Sequence, residues 1–226
     1  MDSSPESDPR PRSSSAQALS PAYAVRSERE RLLEAMVRNA AVKGLAQTTI
    51  GDVIETSRLP RETFDAHFAS KEECFLEAYD AVIDVVLAHV AGAFASAAGE
   101  PWPDRVVAGL RALVELLTAE PDIARMAMVE MTAVGEEARL RYRAALGRFV
   151  PFLEEGRRFS PGPEELPADT ARFAIGGVTS MIFDEVRAGR TAELSRMVPE
   201  LAFAILVPYL GPEGAEAEMR RLAAAG

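Results

Sequence analysis

Apolar residues recur at helical spacing along nearly the whole chain, and this pattern limits the fold more than any other feature. From Val25 onward the first stripe consists of Leu32, Leu33, Met36 and Val37. Steps of three and four residues place side chains on one face of an α-helix, whereas a half-buried strand needs strict alternation. No alternating run competes with the helical spacing, so the sequence predicts an all-α fold.

Capping residues, glycines and prolines divide this pattern into separate helices. Thr49 with Asp52, and Ser70 with Glu73, form capping-box-like starts, in which each side chain accepts from the backbone of the other residue. The predicted helices cover about 27–43, 50–57, 60–68, 71–98, 104–119, 122–133, 136–158, 168–188, 194–210 and 212–224. Between the seventh and the eighth, residues 159–167 contain three prolines and a glycine and are expected to form a loop.

Charge and composition exclude several classes of function. The 226 residues include 25 Lys and Arg against 35 Asp and Glu, a net charge of −10, so a globally basic nucleic-acid surface is excluded and any such contact must be local. A single cysteine and two histidines exclude an intrachain disulfide and leave few zinc ligands. No cofactor is expected, although a carboxylate-only metal site stays open. No nucleophile elbow or phosphate loop indicates an enzyme.

The two ends of the chain indicate where the protein resides. Residues 1–22 are polar and rich in serine and proline, which predicts a disordered tail rather than a signal peptide. The least polar C-terminal run, 201–212, is well short of the roughly 20 residues that a membrane-spanning helix needs. We therefore expect a cytoplasmic protein with no membrane contact.

The first three predicted helices indicate a DNA-binding unit. Two of them are short, and short helices are stable in water only when they pack against one another. A helix–turn–helix is the common compact solution, and its second helix presents one side to the DNA major groove.

The segment 44–80 resembles the DNA-binding domain of the tetracycline-repressor (TetR) family of bacterial transcriptional regulators. The matching residues are Gly44, Thr48-Thr49, Asp52-Val53, Thr63-Phe64, His67-Phe68 and Ser70-Lys71-Glu72. The resemblance implies a helix–turn–helix DNA-binding domain over 23–70 and a larger helical domain for ligand binding and dimerisation over 71–226. It also implies a homodimer on a palindromic operator, most often a repressor that a small ligand releases.

The same resemblance assigns DNA contacts to six side chains: Thr49, Arg58, Arg61, Thr63, His67 and Lys71. Physical chemistry independently supports Lys71, because a cation beside the free N–H groups of a helix N-terminus favours a phosphate. Phe64 and Phe68 are expected in the hydrophobic core rather than on the DNA.

Two departures from the family pattern favour an alternative. Arg58 stands where the family usually has a turn glycine, and Asp65 stands where it often has an aromatic residue. Residues 23–72 contain eight basic and eight acidic side chains, so non-specific DNA affinity should be modest. A helical small-molecule-binding module with decayed DNA binding is the second hypothesis.

Methionines and aromatics in the C-terminal part indicate either an ordinary core or an apolar ligand cavity between helices. The candidate ligand contacts are Trp102, Met126, Glu130, Phe149, Phe152, Phe173 and Met181. Tyr142 and Thr179 are further polar candidates, and the expected ligand is a small apolar molecule.

Small residues inside the helix 168–188 indicate an interface. Gly176 and Gly177 would each cost roughly 1 kcal/mol in a helix interior, which close backbone approach can offset. Together with helix 194–210, this segment would suit a four-helix-bundle dimer interface. Tight packing within one subunit is the alternative.

Overall fold

The structure is a computed structural model that describes residues 21–133, 135–160, 162 and 166–225. Most of the predicted tail, residues 1–20, lies outside the described residues. Pro21 already begins the first helix, six residues before its predicted start. Over the described residues the fold is all-α, as the helical spacing predicts, and contains no strand.

Ten α-helices follow one another along the described chain. They are α1 (Pro21–Lys43), α2 (Ile50–Ser57), α3 (Arg61–His67), α4 (Lys71–Ser96), α5 (Trp102–Ala119), α6 (Pro121–Met128), α7 (Gly135–Gly147), α8 (Val150–Glu154), α9 (Thr170–Arg187) and α10 (Leu194–Ala225). Short 3₁₀ turns lie at Leu45–Gln47, Glu130–Ala133, Glu155–Phe159 and Thr191–Glu193.

The predicted helix starts at Thr49 and Ser70 are confirmed, with a difference between their caps. Thr49 and Asp52 form a complete capping box. Ser70 accepts from the backbone N–H of Glu73, but the carboxylate of Glu73 accepts from Ala69 at 2.6 Å instead of from Ser70. Gly44, directly after α1, takes a positive φ of 78°, which glycine adopts without strain at the end of a helix.

The predicted single helix over 136–158 is wrong. The α-helical hydrogen-bond pattern ends at Gly147, Arg148 and Phe149 donate instead to residues three positions earlier, and the short α8 then begins with Pro151 in its first turn. Proline lacks an N–H and clashes with the preceding turn, so a continuous helix through position 151 is unfavourable. Similarly, the predicted helix 122–133 ends at Met128, and a 3₁₀ turn completes it. Gly211, with φ 72°, kinks α10 between the two predicted C-terminal helices.

The long helix α4 lies at the centre of the molecule. It packs against α1 on the N-terminal side and most extensively against α5. Phe75, Tyr79 and Val86 are among its buried side chains, and a single core of buried residues continues from α1 to α10.

We expected no helix that could span a membrane. Judged by length and composition, this expectation is wrong. Two segments of the described chain meet that criterion, Lys71–Ser96 and Thr191–Ala224. In the first of these, which is α4, the buried apolar residues include Phe75, Tyr79 and Val86, and the helix packs against α1 and α5. A core helix of a globular domain commonly has this composition.

Candidate nucleic-acid interface and ligand cavity

The turn between α2 and α3 keeps its left-handed geometry without a glycine. Arg58 caps α2 with φ 56° and ψ 37°, and among the described residues it is the one non-glycine with positive φ. This conformation costs a side-chain-bearing residue roughly 1–2 kcal/mol. Arg31 on α1 donates to the carbonyl oxygen of Ser57 at 2.5 Å, which holds the end of α2 in place.

Helix α3 packs with one side and leaves the other exposed. Phe64 and Phe68 are buried, as predicted, with ring centroids 5.5 Å apart. Arg61, Glu62 and Asp65 lie on the exposed side. The predicted recognition helix therefore presents a free polar face within this chain.

The cation on this face, Arg61, is already paired with an acidic side chain. Nε of Arg61 donates to both carboxylate oxygens of Asp65, at 3.0 and 3.1 Å. Thr63 and His67 are half-buried, and the ring of His67 lies 6.2 Å from that of Phe68. A DNA contact by Arg61 would thus compete with an intramolecular ion pair.

Lys71 turns toward the protein rather than into solvent. Its Nζ donates to the carbonyl oxygen of Leu45 at 3.1 Å, and its side chain is 22% exposed. This bond joins the start of α4 to the 3₁₀ turn after α1. Contact with a phosphate, which stays a prediction, would require this lysine to share or exchange its partner.

Thr49 is exposed, but its hydroxyl is engaged in the hydrogen bonds that cap α2. Its hydroxyl donates to Asp52 at 2.6 Å, and Lys43 approaches the other carboxylate oxygen of Asp52 at 2.7 Å. The hydrogen bonds from Lys43 and Thr49 hold the pKa of Asp52 well below its usual range. Asp52 therefore stays ionised and fixes the beginning of α2.

An apolar cavity lies among helices α4 to α10. Its empty volume is about 910 Å³, open space at the mouth included. Five residues of α4 that follow one another by three or four positions form one wall: Tyr79, Ile83, Val86, Val90 and Phe94. Apart from Tyr79, Tyr142 and Thr179, the described lining residues are apolar.

Phe149 and Phe152 are the predicted ligand contacts that line this cavity, and the structure places the other five elsewhere. Trp102 is buried in the core, where its Nε1 donates to the carbonyl oxygen of Phe152 at 2.9 Å. Its ring meets Tyr209 edge-on. Met126 is completely buried outside the cavity.

Glu130, Phe173 and Met181 also need correction. Glu130 is buried, but it accepts from the backbone N–H of Leu45 at 3.1 Å and pairs with Arg125 at 3.3 Å. Phe173 is 76% exposed on α9, and Met181 is half-buried on the same helix. These helices are apolar on more than one side, so residue type alone did not show which side faces the cavity.

Sequence reasoning missed the cavity wall that α4 supplies. The signal is present in the sequence, because Tyr79, Val82, Val86 and Val90 recur at helical spacing on one side of this helix. The stripe predicts burial, but it does not distinguish contact with a neighbouring helix from contact with an empty space. Among the described residues no cluster of metal-ligating side chains occurs.

Comparison with known proteins finds similarity in three dimensions only. No family model matches the chain, and no curated protein matches its sequence. The fatty acid degradation regulator FadR from Bacillus halodurans superposes with a TM-score of 0.69 at 15% identity, covering 78% of this chain and 97% of that one. FadR from Bacillus subtilis, solved in complex with stearoyl-CoA, gives 0.64 at 14% identity, covering 80% and 98%.

A regulatory protein in the tetR family from Rhodococcus RHA1 gives a TM-score of 0.60 at 19% identity, covering 79% of this chain and 96% of that one. The chain has the TetR fold. In this TetR fold the helix–turn–helix comprises α2 and α3, and the cavity lies in the larger helical part that begins with α4.

On one face of the TetR fold, the described residues supply no partner. On α9, a Cβ added at Gly176 or Gly177 would meet nothing within 4 Å. Phe173 on the same helix and Phe203 on α10 are exposed aromatics. Both helices belong to the pair for which the sequence predicts a dimer interface.

Proposed function

We propose that this protein is a DNA-binding transcriptional regulator, a homodimeric repressor that a small apolar effector releases from a palindromic operator. The observation that carries the proposal is the course of α4. This helix begins at Lys71 beside the helix–turn–helix, and its middle, from Tyr79 to Val90, forms a wall of the cavity. One rigid element thus contacts both the predicted DNA-binding unit and the predicted ligand.

The exposed side of α3 supports a DNA-reading role. A recognition helix must enter the major groove with a polar face while its other side packs on its own domain. Arg61 is the cation on that face, and Arg58 stands at the turn that precedes it. Of the six predicted DNA contacts, Thr49, Arg58 and Arg61 are exposed, and Arg61 is paired with Asp65.

A second connection supports coupling between cavity and DNA unit. Met128 at the end of α6 lines the cavity, and Glu130, two residues later, holds the backbone N–H of Leu45. A ligand that favours one position of α4 and α6 would bias the orientation of α1 to α3. Such a ligand shifts DNA affinity only by its preference between the two positions.

The unpartnered face of α9 and α10 supports dimerisation. Exposed Phe173 and Phe203 would be buried, and Gly176 and Gly177 would permit close helix approach. A two-fold dimer places two copies of α3 on one side of a duplex, which requires a palindromic site.

Selection of bound duplexes from a random pool with the full chain tests the proposal. We expect an enriched palindrome whose affinity falls steeply with salt, because Lys and Arg release counterions from phosphates. Arg61→Ala should weaken binding to the selected site by about tenfold, as loss of one base or phosphate contact does. Arg220→Ala removes a similar arginine, also paired to an acid four residues away, and should change nothing.

A helical carrier of apolar molecules with decayed DNA binding is the second candidate. The pairing of Arg61 with Asp65 and the bond from Lys71 to Leu45 favour it, since both cations are engaged within the protein. Failure to enrich any duplex, together with saturable ligand binding, would establish the carrier and reject the regulator.

A further inference from the structure

The hydroxyl of Tyr79, a residue of the cavity wall, lacks a hydrogen-bond partner among the described residues. Tyr79 is 1% exposed and lines the cavity, and its Oη has no hydrogen-bond partner among the described residues. Buried hydroxyls in folded proteins are nearly always hydrogen-bonded, because burial removes the water that would otherwise solvate them. An exception on a cavity wall indicates a group that a bound molecule satisfies.

The remaining cavity surface restricts what that molecule can be. The hydroxyl of Thr179 donates to the carbonyl oxygen of Ile175 at 2.7 Å, so its proton is committed. Tyr142 is the other polar lining residue, and burial raises the pKa of its phenol. None of the described lining residues carries a charge.

An anionic head group would therefore be unfavourable in the described part of the cavity. A carboxylate or phosphate transferred from water into apolar surroundings needs a cation or several donors to offset its lost hydration. Burial also raises the pKa of Tyr79, so its phenol stays protonated and serves as a hydrogen-bond donor. Neutral phenol donors of this kind fit a neutral acceptor.

We infer that the cavity binds an uncharged, mainly hydrocarbon molecule with one hydrogen-bond-accepting oxygen, such as a ketone or an ester, and that Tyr79 donates to this oxygen. The inference rests on the proposed function, for which it names the effector class. Stearoyl-CoA, bound by FadR from Bacillus subtilis, is by contrast a charged molecule.

Two ten-carbon probes test the inference by calorimetry on the full chain: 2-decanone, which is neutral, and decanoate, at a pH where it is ionised. We expect saturable binding of 2-decanone and binding of decanoate that is weaker by about tenfold or more. Tyr79→Phe should weaken 2-decanone binding by about five- to tenfold, the usual effect of one hydrogen bond. It should leave decanoate binding unchanged.

Tyr209→Phe is the matched control. Tyr209 is also buried with an unpartnered hydroxyl, but it does not line the cavity, so this variant should bind 2-decanone as the wild type does. Thermal unfolding of Tyr79→Phe should occur at or above the wild-type temperature, because the lost hydroxyl has no partner in the free protein. If Tyr79→Phe unfolds at or above the wild-type temperature, its weaker ligand binding is not a result of misfolding.

Three results would overturn the inference: no saturable binding of 2-decanone, equal binding by Tyr79→Phe, or tighter binding of decanoate. The proposed function is tested separately, by measuring the affinity for the duplex selected from the random pool with and without 2-decanone. Binding of 2-decanone without any change in duplex affinity would retain the ligand class and reject the regulatory coupling.

Discussion

The carboxylate of Glu130 accepts a hydrogen bond from the backbone N–H of Leu45, which lies 85 residues earlier in the chain. Lys71 donates to the carbonyl oxygen of the same Leu45. Both backbone groups of one residue in the turn after α1 are thus held by side chains tied to the cavity-lining helices, since Lys71 begins α4 and Glu130 follows α6. Gly44, directly before, has a left-handed φ, and a Cβ there would lie 3.4 Å from the carboxylate of Glu130.

Glu130→Ala is expected to destabilise the protein. The buried N–H of Leu45 would lose its partner, which costs about 1–3 kcal/mol of unfolding free energy. Urea denaturation measures the change, and Glu115→Ala, at an exposed position of α5, is the control. Under the proposed function, duplex affinity in the variant should also respond less to ligand. An unchanged unfolding free energy would show that the bond contributes nothing.

Arg58→Gly should stabilise the fold while weakening DNA binding. Glycine adopts the left-handed φ of this position without strain, so we expect a gain of about 1 kcal/mol in unfolding free energy. If Arg58 contacts a phosphate, the salt dependence of duplex binding should decrease by about one unit of slope. Arg58→Asn tolerates the same backbone but lacks the charge, so it should reproduce the change in slope. Destabilisation by glycine would contradict the assignment of strain.

Gly156→Ala should be among the most damaging small substitutions. An added Cβ would lie 2.3 Å from a ring carbon of Trp102, whose indole is held by its bond to Phe152. Overpacking of this kind typically costs about 1–3 kcal/mol. The contrasting variant is Gly92→Ala near the C-terminal end of α4, where nothing lies within 4 Å. It should gain roughly 0.5–1 kcal/mol, and equal effects of the two variants in denaturant would refute the packing argument.

Phe173→Asp should disrupt the proposed dimer. Phe173 is 76% exposed in the single chain, and a charge there would be desolvated on association. We expect the dimer dissociation constant to rise by about tenfold or more, as for loss of an interface aromatic. Sedimentation equilibrium measures it. Leu140→Asp, at a 59% exposed apolar position on α7, should leave the dimer intact, and a dimeric Phe173→Asp would remove this face from consideration.

Features that depend on neighbours in the chain were predictable from the sequence. Helical spacing and capping residues predicted the all-α fold and the starts of α2 and α4, because a cap acts through the backbone of its own first turn. The left-handed turn position at Arg58 was likewise recognised as a departure from a pattern. Pro151, whose effect is equally local, was overlooked, and the helix predicted through it is broken.

The tertiary structure alone decided which side chains meet the cavity and which meet a neighbouring helix. Met126 and Met128 are two residues apart on α6, yet Met126 is packed completely and Met128 lines the cavity. Glu130 was predicted to contact ligand and instead holds Leu45. The hydrophobic effect is non-directional, because it depends on the apolar area removed from water and not on the identity of the neighbour. The sequence therefore determined that these residues are buried. The arrangement of helices distant in the chain determined which residues or which cavity each of them contacts.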